Sequence, residues 1–324
     1  MSRLNAAQWS AYWRSGAVTT FQDIFSGNYD RGVADFWREC FSGLESGARM
    51  VDLACGNGAL ALLAAAWRRD QGAQFKIDAV DYAEIAPPPE PDNRALAEGI
   101  GFYAGRRLES TGLNEGAYQL AVSQFGLEYG ETESALAEVN RILAATGATL
   151  AVICHHEGSD IVKQGRQGLE QQALCAASPL PELVRRLQTR LEQVQREGRD
   201  PAKDRACERL RDKFNRATTA LHSAAEQQAN PAHLLYFIRG CLAPFDAGNM
   251  QRMPLTRRLA MIDQLLAACQ SFELRMQDLV SAALSEEDLA RWDGILRGYG
   301  FTPQRCEPFT LEGKLFGQLL VYRR

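Results

Sequence analysis

Histidine is scarce in this sequence, and none of its cysteines has a close cysteine neighbour. There are four histidines and eight cysteines in 324 residues, and no Cys-x-x-Cys pair occurs. Because structural zinc sites need closely spaced Cys and His ligands, the sequence predicts no metal site. Scattered single cysteines are typical of a reducing compartment, so we expect free thiols and a cytoplasmic protein.

Long apolar runs and excess positive charge are also absent. No stretch approaches about 18 uninterrupted apolar residues, and the opening MSRLNAAQWSAYWRSG lacks the apolar core of a signal peptide. We therefore expect no membrane span and no secretion signal. The net charge is -4, so no overall positive field attracts nucleic acid or an anionic membrane. A nucleic-acid partner is disfavoured, although a local basic patch stays open.

Short strand-like runs alternate with helix-like runs in residues 48–156. The predicted strands are residues 50–54, 75–80, 101–104, 118–123 and 148–154. Strands joined by helical crossovers form a parallel sheet with helices on both faces. Residues 301–323 predict two more strands joined by a short turn, which makes them antiparallel neighbours. The predicted fold class is α/β, a doubly wound, seven-stranded, mostly parallel sheet with an antiparallel last strand.

Two helical regions accompany this pattern. Residues 1–47 are rich in aromatic side chains at three-and-four spacing, which predicts two short amphipathic helices. Residues 157–284 show helical stripes and no convincing strand. The predicted parts are an N-terminal helical segment (1–47), an α/β domain (48–156 and 285–324) and an all-helical insertion after the fifth strand (157–284).

The segment MVDLACGNGALALLAAAW, residues 50–67, carries the strongest functional signal. A strand leads through Asp52 into a small bend, and a run of helix formers follows. The bend contains Ala54, Gly56, Asn57 and Gly58. Such a unit presents backbone N–H groups to a ligand, and glycine lets the backbone approach it closely. The glycines also fit the G-x-G-x-x-[GA] pattern of dinucleotide sites, which is weak evidence by itself.

Two acids decide which ligand fits this bend. Asp52 would be a poor neighbour for a pyrophosphate, but it suits a ligand that carries an ammonium and a sulfonium group. Asp81 ends the second strand, where a carboxylate accepts hydrogen bonds from both ribose hydroxyls. Tyr82, the next residue, is placed to cover an adenine. The acids favour a cationic nucleoside over a dinucleotide.

At these residues the chain resembles a known family. VDLACGNG, AVDY, YQLAVSQFGLEY and ATLAVICHH are similar, in this order, to the motifs of class I S-adenosylmethionine-dependent methyltransferases. The closing hairpin fits the antiparallel last strand of that family. The resemblance covers roughly residues 48–156 and 285–324 and leaves out the insertion. It implies that S-adenosyl-L-methionine is the cofactor, bound by Asp52, the glycine bend and Asp81.

The resemblance also implies site residues at the ends of the later strands. Leu108 and Glu109, after the third strand, are candidates for the neighbourhood of the adenine. Gln124 follows the fourth strand, beside the transferred methyl group. His155 and His156 follow the fifth strand and are candidate general bases or acceptor-orienting groups. The candidate acceptor pocket consists of Tyr12, Trp13, Phe21, Tyr29, Phe125 and Tyr129.

We therefore expect a methyltransferase that acts on a small, partly apolar metabolite, with residues 1–47 as a lid and the insertion as a cap. The [DN]-P-P-[FY] run typical of adenine, cytosine and glutamine amino methylation is absent. Three alternatives stay open: an RNA or protein substrate held by the insertion, a non-catalytic partner subunit with this fold, and, more remotely, a nicotinamide oxidoreductase. The acceptor atom (O, N, S or C) and the oligomeric state, including a homodimer or a protein partner through the insertion, also stay open.

Overall fold

The computed structural model describes residues 5–14, 16–20, 27–85 and 91–324, and the chain divides into two compact units. The first unit is Met1–Lys163 with Asp278–Arg324, and the second is Gln164–Gln277. The second unit begins and ends a few residues inside the predicted insertion. The N-terminal segment belongs to the first unit.

A seven-stranded sheet forms the centre of the first unit. Its strands are β1 (Arg49–Leu53), β2 (Lys76–Val80), β3 (Ile100–Tyr103), β4 (Leu120–Gln124), β5 (Thr149–Cys154), β6 (Thr302–Leu311) and β7 (Lys314–Arg323). The strand order is β3-β2-β1-β4-β5-β7-β6. β1 to β5 are parallel, and β7 runs antiparallel between β5 and β6. The predicted fold class is confirmed.

Helices pack on both faces of this sheet, and others build the second unit. The helices are α1 (Ala6–Trp13), α2 (Arg31–Ser42), α3 (Ala59–Gln71), α4 (Pro91–Ala97), α5 (Thr132–Ile142), α6 (Asp160–Ala177), α7 (Leu180–Arg196), α8 (Arg205–Glu226), α9 (Ala232–Leu242), α10 (Ala247–Arg252), α11 (Leu255–Ala282) and α12 (Glu286–Gly298). Trp37 and Leu60, from α2 and α3, pack in the core on one face of the sheet. Leu136 and Trp292, from α5 and α12, pack on the other. The sheet is therefore doubly wound, as predicted.

The strand order reverses between β1 and β4. From β1 the chain moves outward to β2 and β3, and then returns to the opposite side of β1 as β4. Ligands of open α/β sheets bind at such a reversal, outside the carboxyl ends of the strands. Ala54 and Phe125, which follow β1 and β4, are non-glycine residues with φ of 56° and 55°. This left-handed conformation is strained for L-residues, and strain of this kind clusters at functional sites.

The second unit has an apolar core of its own, to which α6, α7, α8, α9 and α11 contribute. The α7–α8 hairpin is closed by Arg190, which donates to the carboxylate of Asp204 at 3.1 and 2.7 Å. α6 lies within the predicted all-helical insertion, although Gly168 lowers the helix propensity of that stretch. A Cβ at this position would collide with the ring of Phe272, so close packing requires glycine there.

Within the described residues, no helix is both long and apolar enough to cross a membrane. The same residues contain no group of three or more His, Cys, Asp or Glu side chains placed to hold a metal ion. The eight cysteines are free thiols. Six of them are buried, Cys40 is half-buried and Cys306, on β6, is exposed.

We expect the thiols to react in the order of their exposure. When a native sample is mixed with Ellman's reagent, the thiol of Cys306 should react quickly and that of Cys40 more slowly. Burial raises the pKa of thiols such as Cys154 and shields them from the reagent. The buried thiols should react only in denaturant. Cys306→Ser should remove the fast phase, and a fast phase that survives this change would contradict the fold described here.

Candidate functional site

The carboxylate of Asp81 holds the glycine bend after β1. Its Oδ2 accepts the N–H of Gly56 at 2.7 Å, and its Oδ1 accepts the N–H of Ala83 at 2.8 Å. Gly56 and Gly58 have φ of 54° and 90°, which glycine adopts readily. The N–H of Tyr82 is a third backbone donor to this carboxylate, which keeps lone-pair capacity for a further donor. The carboxylate of Asp81, directly after β2, therefore fixes the bend after β1 and can still accept a hydrogen bond from a ligand.

Asp52, the second predicted acid, lies under the first turn of α3. Its Oδ2 accepts the N–H of Ala61 at 3.1 Å, and the residue is 1% exposed. Burial raises the pKa of Asp52 well above its ordinary value; the Ala61 hydrogen bond opposes this and the charge of Asp81 adds to it. Burial also raises the pKa of Asp81, against its backbone hydrogen bonds. Among the described residues neither acid has a salt-bridge partner, so the pair favours a cationic ligand.

Gln124, at the end of β4, belongs to the same cluster. Its Oε1 accepts a hydrogen bond from Nε1 of Trp37, and both residues are buried. Tyr29 hydrogen-bonds to Gln124 and lies near Asp52; burial, and then the charge of Asp52, raise the pKa of Tyr29. The structure therefore brings together two predicted cofactor residues and one predicted pocket residue.

The N-terminal residues 5–14 and 16–20, which we call the strap, lie on the glycine bend. Asn57 is fully buried, and its Nδ2 donates to the carbonyl oxygens of Trp13 and Ala17 at 2.9 and 2.8 Å. The ring of Trp13 packs so closely on Gly56 that a Cβ there would collide with it. The amide of Asn57, predicted as a cofactor contact, is used to hold the strap.

The strap also reaches the ends of β2 and β4. Ser10 Oγ accepts the N–H of Glu84 at 2.8 Å, a few residues after β2. The rings of Trp9 and Tyr129 meet edge-on with centroids 5.8 Å apart. Tyr12 packs edge-on against Trp13 at 5.0 Å. Predicted pocket residues from the strap and from the end of β4 therefore lie at one edge of the sheet, whereas Phe21 lies outside the described residues.

The predicted adenine neighbours make contacts of their own. The guanidinium of Arg107 lies 5.1 Å from the ring centre of Tyr82. Glu109 accepts the N–H of Glu131 at 2.8 Å and pairs with Arg107 at 3.2 Å. Although burial acts to raise the pKa of Glu109, these two contacts lower it below its ordinary value. Leu108 packs against the loop before α5. Their roles at an adenine remain predictions.

The two histidines after β5 have different surroundings. His155 is 2% exposed and stacks on Phe125 at 4.3 Å, with Tyr129 edge-on at 6.1 Å. Burial lowers the pKa of His155 to about 3, so its ring is neutral at physiological pH. His156 is more accessible, and its Nε2 lies 3.2 Å from the carboxylate of Glu286. His155 lies with the predicted pocket residues, and His156 is paired at the start of α12.

Glu128 is a site residue that the sequence motifs did not single out. It lies in the short 3₁₀ turn Leu127–Tyr129 after β4 and is 3% exposed. Its Oε1 accepts the N–H of His155 at 2.8 Å. Burial raises the pKa of Glu128 to about 8, despite this hydrogen bond. The available signal was a charged residue inside the otherwise uncharged run FGLEYG, directly after a buried strand.

The buried Glu128 should make the stability of the protein depend on pH. The folded protein keeps this proton up to about pH 8, whereas the unfolded chain loses it near 4.5. The stability that the neutral carboxyl allows is therefore present in acid and is lost as the pH rises from about 4.5 to about 8, by at most ~1.4 kcal/mol per pH unit. Denaturant melts across this range should show the loss in the wild type.

Glu128→Gln, which cannot ionise, should remove this component of the pH dependence. The difference in unfolding free energy between the variant and the wild type should grow with pH in this window. Glu133→Gln changes a half-exposed acid on α5 and should follow the wild type. A difference for Glu128→Gln that does not vary with pH would show that Glu128 is ionised in the folded protein.

No family model matches the chain, and no curated protein matches it. Among solved structures, it is similar to a geranyl diphosphate methyltransferase, at 19% identity over 38% of this chain and 43% of that one, with a TM-score of 0.31. A geranyl diphosphate C-methyltransferase from Streptomyces coelicolor A3(2) has 15% identity over 45% and 64% of the two chains, with a TM-score of 0.34. A SAM-dependent methyltransferase from Aquifex aeolicus has 16% identity over 46% and 73%, with a TM-score of 0.36.

The chain spans less than two thirds of the length of the first two of these structures. Its own topology is the firmer observation. Five parallel strands in the order β3-β2-β1-β4-β5 are followed by an antiparallel β7 inserted between β5 and β6, and a glycine bend follows β1. This is the fold of the class I S-adenosylmethionine-dependent methyltransferases, as the ordered sequence motifs predicted.

Proposed function

We propose that the protein binds S-adenosyl-L-methionine at the carboxyl ends of β1 and β4 and transfers its methyl group to a small, partly apolar metabolite. The observation that carries this proposal is the pair of buried carboxylates, Asp52 and Asp81, on the glycine bend. Around them lie an anchored amide, Gln124, and aromatic side chains from the strap and from the end of β4.

The hydrogen bonds of the two acids argue against a dinucleotide. A pyrophosphate needs free N–H groups at the bend and at the start of the helix. Here the N–H of Gly56 is taken by Asp81 and that of Ala61 by Asp52. A phosphate would also oppose ionisation of these two acids, whereas an ammonium or a sulfonium would favour it. The remaining lone pairs of Asp81 suit ribose hydroxyls.

When bound, S-adenosyl-L-methionine supplies an electrophilic methyl group on a positively charged sulfur. The chain then has to align the acceptor and exclude water. Gln124 is held in one orientation by Trp37 at the end of β4. Phe125 and Tyr129 offer apolar surface beside it, and both contact His155. These aromatic walls support an acceptor with apolar parts.

The two predicted histidines differ in the role that each could have near the acceptor. The neutral ring of His155 suits orientation of the acceptor by stacking or hydrogen bonding, and its low pKa makes it a poor proton acceptor. His156 lies beside the carboxylate of Glu286, at the start of α12. We therefore assign His155 to orientation.

A protein substrate is the second candidate. The large apolar side chains that are exposed among the described residues are Leu174, Tyr236, Leu242 and Leu266, and all four lie in the second unit. Exposed apolar surface is typical of interaction sites. A copurifying protein that gains methyl groups would favour this candidate, and methylation of metabolites by the isolated chain would favour the first.

Removal of Asp81 should weaken cofactor binding. Calorimetric titration of S-adenosyl-L-methionine and S-adenosylhomocysteine into Asp81→Ala should show a dissociation constant at least tenfold higher than in the wild type, about 1.4 kcal/mol. Asp70→Ala, which removes an exposed acid of α3, is the matched control and should bind normally. Circular dichroism checks the folding of each variant. A folded wild type that binds neither ligand would refute the proposed function.

Trp13 should report on cofactor binding, because its ring packs on Gly56, where a ligand has to approach. Addition of S-adenosylhomocysteine should change the tryptophan emission of the wild type. Trp13→Phe should lose most of this change. Trp67→Phe is the control, since Trp67 packs between Phe41 and Phe75 on the sheet face that α3 covers. An undiminished change in Trp13→Phe would contradict the placement of Trp13 beside the ligand.

A further inference from the structure

Glu128 has one oxygen fixed by the backbone and one without a hydrogen bond. Oε1 accepts the N–H of His155 at 2.8 Å. Oε2 is buried and makes no hydrogen bond of normal geometry among the residues that the structure describes, although the N–H groups of Glu128 and Gly126 also lie near the carboxyl group. A buried carboxyl oxygen without a partner is costly, and such exceptions need an explanation. The hydrogen bond to His155 holds the side chain in place and leaves Oε2 for another group.

Glu128 lies after β4, at the sheet edge where the proposed chemistry takes place. It follows β4 by four residues, and β4 adjoins β1 at the reversal of the strand order. The intervening Gly126 packs so tightly on Ala54, the residue after β1, that a Cβ would collide. Ser123 Oγ also donates to the carbonyl of Leu53 at 2.8 Å. The turn that carries Glu128 is thus anchored to the end of β1.

The groups that face Glu128 bring no positive charge at neutral pH. Tyr129, from the same turn, has a pKa raised by burial, then by Glu128 and by Asp278 of α11. Burial and then Glu128 also raise the pKa of the Cys154 thiol at the end of β5. The ring of His155 is neutral. Near neutral pH, a positive charge that arrives with a ligand would therefore favour ionisation of Glu128.

We infer that Glu128 is the residue that takes the proton from a methyl acceptor bearing an O–H or N–H group, and that the sulfonium of the bound cofactor favours the ionised carboxylate that does so. This inference rests on the proposed function. It narrows the acceptor class as well. A carboxylate acceptor has no proton to give, and the charge of Glu128 would repel it.

The step balances without a further reactant. A lone pair of the acceptor oxygen or nitrogen forms the new bond to the methyl carbon, and the electron pair of the carbon–sulfur bond stays on sulfur. Oε2 of Glu128 receives the acceptor proton. The positive sulfonium and the negative carboxylate disappear together, which leaves a neutral thioether, a neutral carboxylic acid and the methylated acceptor.

The inference can be tested before any acceptor is known, because ionisation of Glu128 is linked to the charge on sulfur. S-adenosyl-L-methionine carries that charge and S-adenosylhomocysteine does not, although both share the amino-acid and nucleoside parts that face Asp52 and Asp81. Titrating both ligands in buffers of different ionisation enthalpy measures the protons released. Near neutral pH the wild type should release on the order of one proton more for S-adenosyl-L-methionine.

Glu128→Gln should bind both ligands and release equal numbers of protons for each. Gln matches the protonated carboxyl in size, and its oxygen can accept the same N–H of His155. Glu133→Gln, at a half-exposed acid, should keep the wild-type difference. Difference infrared spectroscopy of the wild type needs no variant: the band of a protonated carboxyl should disappear on adding S-adenosyl-L-methionine and persist with S-adenosylhomocysteine.

Two outcomes would overturn the role of Glu128 while leaving the proposed function intact. The first is equal proton release for the two ligands in the wild type, with no change in the carboxyl band. The second is a proton difference that persists in Glu128→Gln. A folded wild type that binds neither ligand would instead refute the proposed function, and this inference with it.

Discussion

Two buried carboxylates determine the shape and the charge of the candidate site. Asp81 holds the bend through the N–H of Gly56, and Asp52 holds the first turn of α3 through the N–H of Ala61. Each acid fixes backbone geometry and places an ionisable carboxyl group at the proposed ligand site. Because charge is costly to bury, the arrangement is most favourable when a cation is present.

Glu128 adds a third buried acid to the same edge of the sheet. Asp52, Asp81 and Glu128 follow or end three neighbouring parallel strands, and within the described residues none forms a salt bridge. A ligand with two positive groups would therefore bind and stabilise the folded protein at the same time, since it binds only the native arrangement of these acids. In the proposed reaction, loss of the sulfur charge would remove part of that attraction and favour product release.

The sequence predicted the sheet well, because strands buried on both faces appear as short apolar runs between helical crossovers. The predicted parallel order of these strands also placed Asp52, Asp81 and Gln124 at one edge of the sheet, where the carboxyl ends of the strands meet. Contacts that depend on tertiary packing escaped prediction. The sequence does not show that Gly168 of α6 packs against the ring of Phe272, or that Glu128 accepts the N–H of His155, the residue after β5. The local sequence pattern shows which residues lie at the end of a strand. It does not show which residue of another strand or loop their side chains will hydrogen-bond.

Asn57 links two parts of the chain that are far apart in sequence. Both hydrogens of its side-chain amide are bonded to strap carbonyls, those of Trp13 and Ala17. A chain that lost the strap would leave these donors without their partners inside the bend, and a chain that lost the amide would leave two carbonyls unsatisfied. We therefore expect divergent relatives either to keep both the strap and an asparagine at position 57 or to replace both.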